Sequence, residues 1–161
     1  MIEVTGLTKY YGNHLALENV TFSVAKGQVA GLLGLNGAGE TTCLRVLTGY
    51  LNPSSGETRI DGLNVFADPL EVKKRIGYLP EVPPLYPELA VEDYLRFVSR
   101  LRGLSEVQFR DEFLRVTEIT KLEAARTTLI RNLSLGYRKR VGIAQAIIGS
   151  PPVLIFDEPI S

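Results

Sequence analysis

The chain has 161 residues, 45% of them hydrophobic and 22% charged, a balance that buries a core and a length that reads as one domain. Lys plus Arg and Asp plus Glu each number 18, and the zero net charge argues against a whole-chain nucleic-acid binder or an acidic disordered tail. One cysteine and no tryptophan exclude a disulfide scaffold and a cysteine-based zinc site. The opening Met1-Ile2-Glu3 has no signal-peptide pattern. The longest uncharged stretch, Val141 to Phe156, is too short and too broken by Gln145, Gly149 and Pro151-Pro152 to span a bilayer. A cytosolic α/β protein is expected.

Residues 2–7 and 20–24 alternate or run apolar with β-branched side chains and are predicted as strands, and Lys26-Gly27 is a turn. Gln28 to Leu33 is a short apolar run ended by Gly34, the pattern of a buried central strand. Thr42 to Thr48 reads as a helix with Gly49 just past its end. The turn cluster Asn52-Pro53-Ser54-Ser55-Gly56 leads into a strand at 57–60 and a second turn at Asp61-Gly62. Ile76 to Leu79 is another short strand, and the four prolines of 80–87 make an irregular loop. Val91, Tyr94, Leu95, Val98 and Leu101 form one apolar helical stripe, closed by Gly103. Ser105 with Gln108 forms a capping box for a helix whose apolar face runs through Phe109, Phe113 and Val116. A further helix is predicted from Tyr137 to Ile148 and a fully buried strand from Val153 to Phe156.

Charge is uneven along the chain. Residues 1–72 carry four basic and seven acidic side chains, whereas 96–140 carry eleven basic and five acidic ones. The excess fits a helical subdomain with solvated arginine faces, or attraction to nucleic acid or anionic lipid.

The segment Gly34-Leu35-Asn36-Gly37-Ala38-Gly39-Glu40-Thr41-Thr42 lies between a predicted strand and a predicted helix, the context of a phosphate-binding loop. Glycines let the backbone curl so that successive N–H groups face one anion, and the helix behind adds a partial positive charge. The Thr41 hydroxyl suits a magnesium ion, and Thr42 can reach a phosphate. The pattern asks for Lys at position 40, which is Glu here, and no Lys occurs between Lys26 and Lys73. At ~4 Å and an effective dielectric of ~20 each unit pair is worth about 4 kcal/mol before screening. A glutamate in the first turn of a helix is itself favourable by roughly 0.3–1 kcal/mol. Glu40 is therefore expected to damage nucleotide chemistry more than folding.

Two more segments bear on chemistry. Val153-Leu154-Ile155-Phe156-Asp157-Glu158 is an apolar strand ending in two acids, the first suited to magnesium and the second to polarising a water. Leu133-Ser134-Leu135-Gly136-Tyr137-Arg138-Lys139-Arg140-Val141 offers a hydroxyl and a glycine backbone at a helix start.

Together and in this order, the three segments resemble the nucleotide-binding domain of ATP-binding cassette transporters, from Ile2 to Ser161. The resemblance implies an α/β P-loop NTPase fold with a mixed central sheet, an N-terminal antiparallel β subdomain and an inserted α-helical subdomain. Its parts would be a β-rich core with the phosphate loop at 1–80, a helical subdomain at 88–132, and the signature helix and Walker B strand at 133–161. It implies that Tyr11 stacks on adenine and that Gly34, Asn36, Gly37, Ala38, Gly39, Glu40, Thr41 and Thr42 surround ATP. Leu133, Ser134, Leu135, Gly136 and Tyr137 would form the signature that binds the ATP of a partner domain. Thr41, Glu81 and Asp157 would hold Mg2+, and Glu158 would be the catalytic carboxylate. Glu81 stands where the family usually has a Gln, and the proline-rich loop at 83–89 is similar to that of exporter-type members.

The partners so implied are a transmembrane permease and a second nucleotide-binding domain, paired head to tail, with no nucleic acid. The location implied is the inner face of the cell membrane, reached through the permease. The chain stops soon after Glu158, and is expected to be an incomplete cassette with an apolar strand edge left near 153–156. The only histidine, His14, precedes the phosphate loop and matches no family role. Glu40 and the short length together imply impaired turnover. The alternatives are a non-catalytic pseudo-ATPase and a soluble cassette ATPase acting on DNA or ribosomes, although only 52 positions separate Glu81 from Leu133, too few for a coiled-coil insertion.

Overall fold

The computed structural model describes residues 1–34 and 39–159. The chain divides into two units, Met1–Arg75 and Ile76–Ser161.

The first unit is built on a four-stranded antiparallel sheet. Strand β1 (Ile2–Tyr11) turns at Gly12-Asn13 into β2 (His14–Val24), with Ile2 opposite Val24 and Tyr11 opposite His14. Gly12, at φ 58, permits that two-residue turn. The predicted strands at 2–7 and 20–24 are thus the far ends of one longer hairpin. On its other edge β1 pairs with β3 (Ser55–Ile60), and β3 with β4 (Leu63–Asn64), giving the order β2-β1-β3-β4. Val4 and Leu7 are both buried although three apart, because a register shift between them flips the alternation. Gly6 lies within that irregularity, and a Cβ on Gly56 would fall 2.4 Å from its carbonyl oxygen, so β3 approaches β1 more closely than any side chain allows.

Helix α1 (Glu40–Leu47) buries Cys43, Val46 and Leu47. It ends where predicted: Gly49, at φ 74, donates to the Val46 carbonyl at 3.0 Å. Helix α2 (Pro69–Arg75) was not legible from hydrophobic period, as only Val72 is buried. Its signals are Pro69 at the first helical position, Glu71 in the first turn and Lys73, Lys74 and Arg75 in the last.

The buried central strand expected at 28–33 does not form. Residues 28–34 have no regular structure and are exposed, with Val29 and Leu33 almost fully so. An apolar run becomes a strand only where a neighbour takes its N–H and C=O groups. The strands of this unit's sheet are already paired among themselves, and 28–34 joins none of them. The turn before it does form, with Gln28 donating to the Ala25 carbonyl at 3.2 Å.

The second unit contains a parallel pair, β5 (Ile76–Leu79) and β6 (Val153–Phe156), in the register Ile76 to Val153 and Leu79 to Phe156. Both match the sequence prediction in extent. Val153 and Ile155 are buried while Leu154 is 47% exposed, so β6 alternates instead of being buried throughout. Among the described residues β6 pairs only with β5.

Among its described residues the unit also has three α-helices, α3 (Val91–Leu101), α4 (Glu106–Thr120) and α5 (Leu135–Ile147), and two short 3-10 turns at Glu123–Ala125 and Ile130–Asn132. Val91, Tyr94 and Leu95 of α3 pack with Phe109, Phe113 and Val116 of α4 and Val141, Ala144 and Ile148 at α5 in one core. Leu101 is 73% exposed and not part of the inward stripe; Ser99 is fully buried instead, its hydroxyl donating to the Arg96 carbonyl at 2.8 Å. The capping box of α4 is present in both directions, Gln108 N–H to Ser105 Oγ at 3.3 Å and Ser105 N–H to Gln108 Oε1 at 2.9 Å.

Part of the arginine excess is ion-paired within this unit. Arg96 pairs with Glu92, Asp93 and Glu106, Arg126 with Glu92, and Arg115 with Glu112. Among the described residues no helix is long and apolar enough to cross a membrane.

Candidate nucleotide site

In the first unit, Tyr11 ends β1 beside the hairpin turn and is 45% exposed. The Lys9 ammonium lies 5.5 Å from its ring centroid and donates to the Asn52 carbonyl at 2.8 Å. Gly34 is exposed, while Asn36, Gly37 and Ala38 lie outside the described residues.

Gly39 precedes α1 with a left-handed φ of 92. A Cβ there would fall 2.4 Å from the Ala16 carbonyl oxygen of β2, so glycine is required both by conformation and by contact. No side chain caps α1, and Glu40, Thr41 and Thr42 form its first turn, each half-buried. The helix N-terminus therefore presents N–H groups and two hydroxyls, the donors an anion takes. Cys43 follows inside the core, where burial pushes its thiol up to about 11 and makes it a packing residue.

In the second unit, Leu133 is buried in the helical core just before α5. Ser134 is the N-cap of α5, its hydroxyl accepting from the Tyr137 N–H at 3.3 Å. Leu135 is 70% exposed and Gly136 faces open space, so the segment presents its middle to solvent while its ends are held. Tyr137 is half-buried beneath the Arg140 guanidinium, 5.0 Å from its ring centroid. Leu135 shares the wall of a cavity of about 290 Å³ with Glu81, Arg131 and Lys139.

Asp157 follows β6 and extends the parallel ladder by one residue, its N–H donating to the Leu79 carbonyl at 2.8 Å. It is buried, at 7% exposure. Glu158 is exposed and adopts φ 45, a left-handed conformation unusual for a glutamate. Its carbonyl accepts from the Lys139 ammonium at 3.3 Å. Because β5 and β6 are parallel, Glu81 and Asp157 leave the same, C-terminal end of the pair.

In the second unit the donors that follow β5 and β6 are oxygen, the Glu81 and Asp157 carboxylates. Such donors fit Mg2+, which binds through one or two carboxylates and keeps waters or phosphate oxygens elsewhere. Among the described residues no group of three or more His, Cys, Asp or Glu forms a metal cluster. The start of α1 offers backbone and hydroxyl donors to an anion, and Glu40 places a carboxylate in that same first turn. Lys9 and Lys139 were missed by sequence reading. Lys9 had a signal, since a residue two before Tyr11 shares its face of a strand; Lys139 had none, because its partner is a backbone carbonyl 19 residues away.

The ABC transporter family matches residues 17–161 of this chain. The bacitracin transport ATP-binding protein BcrA of Bacillus licheniformis is 38% identical over 99% of this chain and 51% of its own length. A Nod factor export ATP-binding protein I of Cupriavidus metallidurans is 36% identical over 99% of this chain and 52% of its own. The chain thus spans about half the length of the curated relatives it matches. Among solved structures, an ATP-binding subunit of an ABC transporter superposes with a TM-score of 0.91 at 33% identity, covering 99% of this chain and 66% of that one. A dimeric ATP-binding cassette in a post-hydrolysis state, bound to ADP and Pi, superposes at 0.87 with 26% identity over 99% of this chain and 74% of that one. On the match across most of its length, this chain belongs to the ABC transporter family, as a cassette of the P-loop ATPase fold.

Proposed function

We propose that this chain is the ATP-binding part of an exporter-type transporter, coupling nucleotide binding to movement in a separate permease. The observation that carries this reading is the sequence of three motifs on two well-formed units: the Gly39–Thr42 helix start, the Ser134 N-cap of the signature helix, and Asp157-Glu158 at the end of β6. Relatives named for bacitracin transport and Nod factor export support it.

In this reading Tyr11 holds adenine, Thr41 and Thr42 and the loop backbone hold phosphates, and Thr41, Glu81 and Asp157 take Mg2+. Bound Mg2+ would screen phosphate charge and polarise a phosphoryl oxygen. Glu158 orients water, and Ser134 and Gly136 face the nucleotide of a second cassette in a head-to-tail pair. The protein would sit on the cytoplasmic side of the membrane, held there by the permease. Residues 1–80, 88–132 and 133–161 would divide the labour as core, helical subdomain and signature-to-Walker B segment. Glu40 sets the limit: a carboxylate beside the β- and γ-phosphates repels the ligand that the loop backbone attracts, so turnover is low.

Titration with a fluorescent ATP analogue and a phosphate-release assay test this. Weak, saturable, Mg2+-dependent binding with little release is expected. Turnover at the rate of an active cassette refutes the impairment. Absence of any binding, in the natural chain and in Glu40→Lys alike, points to a pseudo-ATPase that serves only as a binding partner.

A further inference from the structure

Lys9 stands two residues before Tyr11 on the same face of β1. Its ammonium is fixed by the Asn52 carbonyl at 2.8 Å. The turn that supplies this carbonyl is itself tied to β1. Ser54 N–H donates to the Thr8 carbonyl at 2.9 Å, and Ser54 Oγ accepts from the Tyr10 N–H at 2.9 Å. The carbonyl that holds the cation is thus itself tied to β1, and at 5.5 Å from the ring centroid the ammonium lies within cation–π range of Tyr11. Tyr11 itself is 45% exposed, so part of its ring is open to solvent.

We infer that Lys9 is a positioning residue that selects for the base of the nucleotide. It holds the Tyr11 ring in one orientation before the ligand arrives, with the remaining face presented to a purine. Two physical effects follow. An aromatic side chain already fixed loses less rotational freedom when a base stacks on it. A cation beside the ring withdraws π density and favours stacking on an electron-rich partner. Lysine suits this because it is a compact charge with three donors, one of which Asn52 takes without neutralising it. This role rests on the reading of Tyr11 as the residue that stacks on the base.

The test compares ATP with inorganic tripolyphosphate, which carries the phosphates without a base. Affinities for both are measured by calorimetry on the natural chain, Lys9→Met, Lys9→Arg and Tyr11→Ala. Lys9→Met is expected to weaken ATP about three- to tenfold while leaving tripolyphosphate unchanged, and Lys9→Arg to keep the natural ratio. A natural ratio in Lys9→Met, or an equal loss of both ligands, overturns the assignment. Tyr11→Ala separates the two levels. If it collapses the ratio while Lys9→Met does not, only the role of Lys9 falls. If neither variant changes the ratio, or the natural chain shows no preference for ATP, the stacking role of Tyr11 falls with it.

Discussion

Gly77 of β5 and Ala146 of α5 meet backbone to backbone: a Cβ on Gly77 would stand 1.9 Å from the Ala146 carbonyl oxygen. This contact sets how closely α5 approaches the parallel strand pair that ends in Asp157. The clashing atom belongs to a helix backbone, which cannot swing aside as a side chain does. Gly77→Ala should therefore cost about 1–3 kcal/mol or more, the range for overpacking a core. Urea unfolding measures this, and a variant within 0.5 kcal/mol of the natural chain, roughly the scatter of a neutral surface change, contradicts the contact.

Glu112 ties α4 to the turn between α5 and β6. It takes Arg115 Nε at 3.0 Å and NH2 at 2.7 Å, the Gly149 N–H at 2.6 Å and the Ser150 hydroxyl at 3.4 Å. The Arg115 guanidinium first, and then the Gly149 N–H, hold its carboxyl below the usual range against the opposing effect of burial. A lowered folded-state value means that its contribution is complete above the unfolded value, near pH ~4.3, and is lost as pH falls through the folded value. Glu112→Gln should lose about 1–3 kcal/mol near neutral pH. Unfolding free energies of the two chains should converge under acid; a gap that persists unchanged at pH ~3, below the ordinary Glu range, would exclude Glu112 as its source.

Ser105→Ala removes the acceptor for the Gln108 N–H and one half of the capping box of α4. A loss of about 1 kcal/mol is expected. Thermal unfolding should report it with α4 fraying at its first turn, seen as faster amide exchange at 106–108. Unchanged exchange there would deny the cap its role.

Position 40 is a charge question, and a graded series answers it. Nucleotide affinity should rise from Glu40 to Glu40→Gln to Glu40→Lys, each step by roughly tenfold if about 1.4 kcal/mol is recovered. Folding stability should change little, since a glutamate in the first helical turn contributes only about 0.3–1 kcal/mol. Equal affinity across the series would show that charge at position 40 is not the main defect.

The helical unit illustrates what was legible. Ser105 with Gln108 and the Phe109–Phe113–Val116 period marked α4 correctly, because caps and helical faces are local properties. The same window of residues suggested a basic surface. Glu92 and Asp93 lie just outside it, yet Arg96 and Arg126 fold back onto them. Counting charge along the chain could not reveal those pairs. The run 28–33 failed in the opposite way: its apolar residues were read as a buried strand, but strand formation depends on a partner ladder that no local pattern specifies.

By itself the sequence determined the family, the order of the three motifs and the inverted charge at position 40, all of which reside in residue identity and spacing. The extents of β5 and β6 were also readable, as short apolar runs between turn residues. Only the tertiary structure decided that β5 and β6 pair in parallel, that α5 rests directly on Gly77, and that Lys9 is pinned beside Tyr11 by the carbonyl of Asn52. These depend on backbone groups far apart in the chain, and a backbone carbonyl carries no signature in the sequence.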